Sequence, residues 1–433
     1  MHAPAPPGIT RPSRSEPSFA EFVVIVAMMM AVTAYAVDNT LPAFPAIGAS
    51  FGVKEPNDLQ LIVFVYMLGF GVAQLGFGPL SDIVGRRPSY LAGLAVFLVG
   101  SALSLFSTDL TSLLVARFIQ GAGAASGRVL AVAIVRDRFA GREMARVMSL
   151  TMSIFIMVPV FAPAIGSLIL LLGDWHLIFA SMLVSGLALG IWFWLRMPET
   201  ISPGNRMPFS VERIAAGARL TVTNRVSFGY ATAVGLLFGS IMGMVGSSQQ
   251  IFAEVYALGA WFPLAFGLLA SVMGAASLTN SAAVRRFGMH RISHASLIGF
   301  VLCNVVQVGV ALAWSGVPPL ALFGGLLAVS QYLAGLAFPN FNALSMEPLG
   351  RIAGTASSLI GFYTTVIGVT CGLVIGGSFN GSVLPLAVGY LALGSVALAV
   401  VLWTERGRLF HHRYRDPTPG SVSAAAADGA VDP

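Results

Sequence analysis

Long apolar stretches separated by short polar ones recur along the whole chain. They fall at 20–46, 59–80, 88–107, 110–135, 146–172 and 177–196, and again at 228–253, 261–283, 293–314, 318–342, 352–377 and 383–403. Each approaches or exceeds the roughly 20 residues that an α-helix needs to cross a bilayer. Alternating ten-residue strand patterns do not occur, and in lipid every backbone group needs a partner within its own segment. The pattern therefore predicts twelve transmembrane helices and not a barrel. The run from Phe19 does not read as a cleavable signal, because it is too long and no small-residue cleavage site follows before Asp38.

Composition points the same way. Of 433 residues, 56% are hydrophobic and 10% charged, against roughly 25% charged in an ordinary soluble protein. Only lipid can serve as solvent for most of such a chain. Of the 24 Lys and Arg residues, Arg117 and Arg128 fall inside the fourth span. With the amino terminus inside, Lys54 alone falls in an external loop and all the others are cytoplasmic. One missed span would scramble that asymmetry, so it predicts both twelve crossings and two cytoplasmic termini, in the inner membrane of a cell. The net charge of +6 thus reads as a topology signal. No basic patch interleaved with aromatics suggests nucleic acid. Cys303 and Cys371 lie within apolar stretches, so no disulfide framework is implied, and Cys/His spacing of the zinc type is absent. No metal or other cofactor is expected.

The expected organisation is a disordered cytoplasmic segment over 1–19, a six-helix bundle over 20–196 and a central cytoplasmic loop over 197–227. A second six-helix bundle follows over 228–404, then a tail over 405–433. The central loop carries Pro198, Pro203, Gly204 and Pro208, and the Pro-, Ser- and Ala-rich ends (1–17 and 417–433) read as disordered. The halves echo each other. Asp82-Ile-Val-Gly85-Arg86-Arg87 follows the second span, and Arg285-Arg-Phe-Gly288-Met-His-Arg291 follows the eighth. The small residues Ala162 and Gly166 have counterparts in Gly372 and Gly376. The fold class expected is an all-α polytopic membrane protein of two six-helix pseudo-repeats, a known transporter plan.

Gly78-Pro79-Leu80-Ser81-Asp82-Ile83-Val84-Gly85-Arg86-Arg87 resembles the diagnostic loop of the major facilitator superfamily, with Ile83 where that family often has a basic residue. A tight two-helix turn needs glycine, and an acid beside arginines can form a conformation-dependent lock. Arg117-Phe-Ile-Gln120-Gly121-Ala-Gly123 resembles the family's fourth-span motif. Pro159, Ala162, Pro163 and Gly166 stand in a segment similar to its antiporter motif, associated with exporters. Together with Asp38-Asn39-Thr40-Leu41-Pro42, Gln74 and Arg136-Asp137, these resemble the bicyclomycin/chloramphenicol-resistance branch of drug:proton antiporters. The resemblance covers nearly all of the amino-terminal half and is weaker beyond Arg225.

Asp38, Arg117 and Arg128 lie deep in spans, where each charge costs about 2.5–3.5 kcal/mol on insertion scales and marks a functional candidate. Asp38 and Arg117 lie at similar depth on different helices, as a pair or as neighbours, and are the candidates for proton coupling. Asp38 as an anchoring salt bridge, and Arg117 as a packing centre, are the competing readings. Arg128 shares a helix face with Arg117 and bears on substrate charge. Tyr35, Asn39, Tyr66, Gln120, Gln249, Gln250, Asn340 and Asn342 are candidates for a polar-spotted apolar cavity. Glu254 is expected at the outer mouth, and His411 and His412 in a basic tail facing anionic lipid. The function implied by the resemblance is proton-coupled efflux of small amphipathic compounds by a monomer, driven by the proton gradient, since no ATP-binding motif occurs. An importer or metabolite exporter of the same fold is the nearest rival. A membrane-embedded enzyme would need clustered acids or metal ligands at one membrane face, which the chain lacks. A receptor or channel has no selectivity-filter signature to support it.

Overall fold

The structure is a computed structural model that describes residues 17–201 and 211–410. Most of the two end segments expected to be disordered, with His411 and His412, lies outside the described residues, as does 202–210 of the central loop. Twelve helices among the described residues are long and apolar enough to cross a membrane. Their outward faces are themselves apolar, as at Leu168, Val184 and Ile191, which suits a lipid solvent.

The first span is broken. Helix α1 (Phe19–Asp38) starts at Ser18, whose side chain accepts the Glu21 N–H, and ends at Asp38. A 3₁₀ turn at Leu41–Ala43 leads into α2 (Phe44–Phe51). Pro42 and Pro45 supply no N–H, so the helix cannot run through. Thr40 ties off the end by donating its hydroxyl to the Val37 carbonyl at 2.6 Å.

The chain returns through α3 (Leu61–Val84) and α4 (Arg86–Leu105). Then come α5 (Leu110–Arg138), α6 (Gly141–Leu170) and α7 (His176–Arg196). Asp109 and Ser112 form a capping box at the start of α5, and the N–H donors there hold the Asp109 carboxyl below the usual carboxylate range. The central segment contributes α8 (Val211–Thr223), which the hydrophobic pattern did not predict because only 13 residues are involved and their apolar content is low.

The second half consists of α9 (Arg225–Gln249), extended by a π-helical turn at Gln250–Val255, then α10 (Phe262–Phe287) and α11 (Met289–Ala313). It is completed by α12 (Leu320–Met346), α13 (Ala353–Gly377) and α14 (Leu384–Thr404). Within the first half α1 packs on α5, α6 and α7, α3 on α5, and α4 on α5 and α7. The second half repeats the pattern: α9 packs on α12, α13 and α14, α10 on α12, and α11 on α12 and α14. The halves meet through α3 on α13 and α10 on α6, which the same correspondence interchanges. Gly85 and Gly288 also match in detail. Each joins two consecutive helices at positive φ (+117° and +81°) with ψ of 158° and 157°, a conformation that only glycine adopts at low cost.

Candidate functional site

A cavity of about 290 Å³ opens between the halves, on the face that carries the arginine-rich loops. Helices α3 and α5 supply one wall and α9, α12 and α13 the other. Gln74, Arg128, Phe338 and Thr364 line its deeper part, and Asp82, Arg86, Arg136, Asn342 and Ser358 line its mouth. At 1.5 Å per residue, Arg128 sits about 15 Å in from the end of α5. Gln74 donates across the halves to the Thr365 hydroxyl at 3.2 Å.

The loop between α3 and α4 forms one wall of the mouth. Arg86 is 4% exposed, so its charge needs partners. Its Nη1 donates to Asp82 Oδ1 at 2.5 Å and to Ser81 Oγ at 2.6 Å, and its Nε donates to Asp137 Oδ2 at 2.8 Å. Glu199, just beyond α7, accepts the backbone N–H groups of Arg86 and Arg87 and so caps the start of α4. Arg87 reaches the Trp194 carbonyl. The loop expected over 78–87 is mostly helical: Gly85 alone joins the two helices, and Gly78, within the last turns of α3, lets α3 approach Ser358 of α13.

Asp38 and Arg117 lie in the opposite half of the membrane and do not line the cavity. Arg117 is fully buried, and each of its guanidinium nitrogens is engaged. Nε donates to the Ile62 carbonyl at 3.1 Å, Nη1 to Gln120 Oε1 at 2.5 Å and Nη2 to the Ala36 carbonyl at 2.9 Å. The Ala36 carbonyl needs that donor because α1 stops two residues later. The guanidinium also stands 4.4 Å from the Tyr66 ring centre. Gln120 passes the network on to Ser101. Asp38 is 5% exposed, and it has no hydrogen-bond or ion-pair partner among the described residues. The ion pair weighed from the sequence is not made in this conformation. Backbone packing gives Arg117 its surroundings: side chains at Gly121, Gly123 and Gly127 would strike the main chain of α3, α4 and α1 respectively.

The other candidates are spread more widely. Tyr35 and Asn39 both donate to Ser181, at 2.9 and 3.3 Å, linking α1 to α7. Tyr66 donates to the Thr33 carbonyl. Asn340 bonds Asn280 and the Leu336 carbonyl, joining α12 to α10. Gln249 is buried at the end of α9, and Glu254 is exposed beyond it. Of the small-residue set on α6, Ala162, Pro163 and Gly166 are buried and Pro159 partly so, and Gly166 packs on the backbone of Asn39 where the first span breaks. His294, in the first turns of α11, is fully buried and bonded to Tyr230, which in turn donates to Glu405.

Gln250 belongs to a group that was not foreseen. Beyond the cavity the halves are closed by amides. Gln60 Nε2 donates to Gln250 Oε1 at 2.5 Å and to the Gly376 carbonyl at 3.0 Å. Gln250 Nε2 donates to Asn57 Oδ1 at 2.8 Å, and Asn57 Nδ2 reaches the carbonyls of Gly377 and Phe379. Five neutral hydrogen bonds therefore seal the face opposite the cavity mouth. Asn57 and Gln60 stand in the 3₁₀ turn Pro56–Gln60 at the head of α3, where nothing in the sequence marks a contact to the other half.

Comparison with known proteins places the chain in context. A family model described as Major Facilitator Superfamily matches residues 24–372. The MFS-type transporter YdgK of Bacillus subtilis (strain 168) is 31% identical over 344 residues, 78% of this chain and 84% of that protein. A bicyclomycin resistance protein homolog of Haemophilus influenzae is 28% identical over 362 residues, 82% and 88% of the two chains. Multidrug resistance protein D of Escherichia coli (strain K12) is 26% identical over 358 residues, 78% and 84%. Among solved structures, a partially occluded inward-open conformation of the xylose transporter XylE from E. coli superposes with a TM-score of 0.69. It is 13% identical and covers 89% of this chain and 97% of that one, a likeness of fold.

Proposed function

This chain belongs to the major facilitator superfamily, a family of membrane transporters, and from that premise we propose that it exports small amphipathic compounds in exchange for protons. The observation that carries the reading is the arrangement of openings and buried charge. One face has an open cavity between the halves, the other is sealed by amides, and an acid is buried without a partner among the described residues. The similarity to multidrug and bicyclomycin resistance proteins supports export as the direction and drugs as the class. In this reading the arginine-rich face and both termini are cytoplasmic, the membrane is the inner membrane, and the conformation faces inward.

Asp38 carries the proton. A carboxyl's proton affinity depends on its water and its charged neighbours. Rocking of the halves that changes either one therefore lets it load on one side and release on the other. Binding of substrate and of proton is then linked through the conformation both prefer. Arg117 holds α1, α3 and α5 together around that acid. The test is proton flux in everted vesicles from a host lacking its own efflux pumps, across a panel of antibiotics and dyes. Active compounds should collapse the pH gradient with the parent protein and not with Asp38→Asn, which should still bind uncharged compounds. If Asp38→Asn moves protons as the parent does, the acid is not the carrier.

A further inference from the structure

Within the transport reading above, on which this inference rests, we propose that Arg128 makes the cavity selective for compounds bearing a carboxylate or a similar anionic group. Three arginines line the cavity, and they are not equivalent. Arg86 is neutralised by Asp82 and Asp137. Arg128 has no hydrogen-bond or ion-pair partner among the described residues, although it lies about 15 Å in from the end of α5. Its side chain is open to the cavity instead of folded against protein. The only acid in the described lining, Asp82, is already bonded to Arg86, and among the described residues α9, α12 and α13 contribute no charged side chain to the wall facing Arg128.

A cation held at that depth is costly unless something compensates it. The neighbouring lining residues do not do so here: Gln74 turns its amide oxygen toward Gly361 of α13, and Phe338 is apolar. An anionic ligand can. A guanidinium presents a planar fork that matches a carboxylate in two places, and the apolar wall at Phe338 and Val132 accommodates a hydrophobic body beside it. Arg136 stands eight residues on at the mouth, two turns nearer the exit, also with no hydrogen-bond or ion-pair partner among the described residues. The two cations give the vestibule a positive potential that draws anions inward. A volume of about 290 Å³ is at the small end for ligand pockets, which suits one aromatic ring system more than a large drug.

The test is calorimetric titration of the purified full-length protein in detergent with 1-naphthoate and with its uncharged isostere 1-naphthamide. The parent is expected to bind the carboxylate at least about tenfold more tightly, the scale of one charge-assisted hydrogen bond. Arg128→Gln is expected to bring the ratio to within about twofold through loss of carboxylate affinity alone, and Arg128→Lys to retain part of the preference. Should Arg128→Gln not fold, the parent's ratio and the lysine variant decide the matter. Equal affinity for the two probes in the parent, no binding of naphthoate, or an undiminished preference in Arg128→Gln overturns the assignment. No gradient enters the measurement. A failure of proton exchange leaves this result standing, and a failure here leaves exchange of uncharged or cationic compounds intact.

Discussion

Replacing Gln250 with alanine should unlatch the sealed face. The substitution deletes two of the five bonds that close it, the one from Gln60 at 2.5 Å and the one to Asn57 at 2.8 Å. The remaining three, from Gln60 to Gly376 and from Asn57 to Gly377 and Phe379, persist. Inter-helix hydrogen bonds in membrane proteins average about 0.6 kcal/mol, so two of them amount to about 1.2 kcal/mol. That is roughly an eightfold shift in a two-state equilibrium, within the usual range of conformational coupling energies. Gln250 is buried in this state, so the loss falls on it and not on the state in which the face is open. The assay is pulsed electron spin resonance between labels at Lys54 and Asn380, both exposed on that face, after replacing Cys303 and Cys371. The ratio of the longer-distance to the shorter-distance population should grow by about that factor. An unchanged distance distribution would refute the claim that these amides set the equilibrium.

Three further outcomes follow from the same geometry. Asp82→Asn should leave expression near normal, because Arg86 keeps Asp137 and Ser81, yet slow transport about tenfold or more by shifting conformational populations. Unchanged transport together with unchanged cross-linking across the cavity mouth would leave the loop a topological role only. Arg117→Ala removes three buried hydrogen bonds to a charged group and should cost about 3 kcal/mol or more, seen as a lower unfolding midpoint in detergent. An unmoved midpoint would free Arg117 of its stapling role. Reporter fusions after Arg225 and after Arg415 should read cytoplasmic and one at Lys54 external, and a reversed signal at any of the three contradicts the orientation.

The twelve spans were legible because a membrane helix announces itself by length and apolarity, and the arginines bracket the turns. The motif loops were legible too, since Gly85 needs a conformation that few residues tolerate. What the pattern does not contain is which neighbour each buried polar group meets. Arg117 and Arg128 lie on nearly the same side of α5, yet one is consumed by the carbonyls of α1 and α3 and the other faces open space. That difference depends on where α1 ends and on how closely α3 packs at Gly121. Glu199 escaped notice for a similar reason: nothing in its spacing says that a carboxylate after the sixth span turns back to cap α4. Gln250 was visible as an intramembrane amide, but its partners lie 190 residues and more away in sequence.

The seal has a consequence for heredity. Its donors are side chains, Asn57, Gln60 and Gln250, but three of its acceptors are main-chain carbonyls at Gly376, Gly377 and Phe379. A carbonyl is present whatever residue bears it, so selection on the latch reaches α13 only through size. Gly376 is hemmed in by Gln60, and Gly377 has open space around it. Among descendants that keep this latch, the three amides should change together or not at all. Gly376 should stay small and position 377 should drift freely, while Phe379 answers to its own packing on the core and not to the latch.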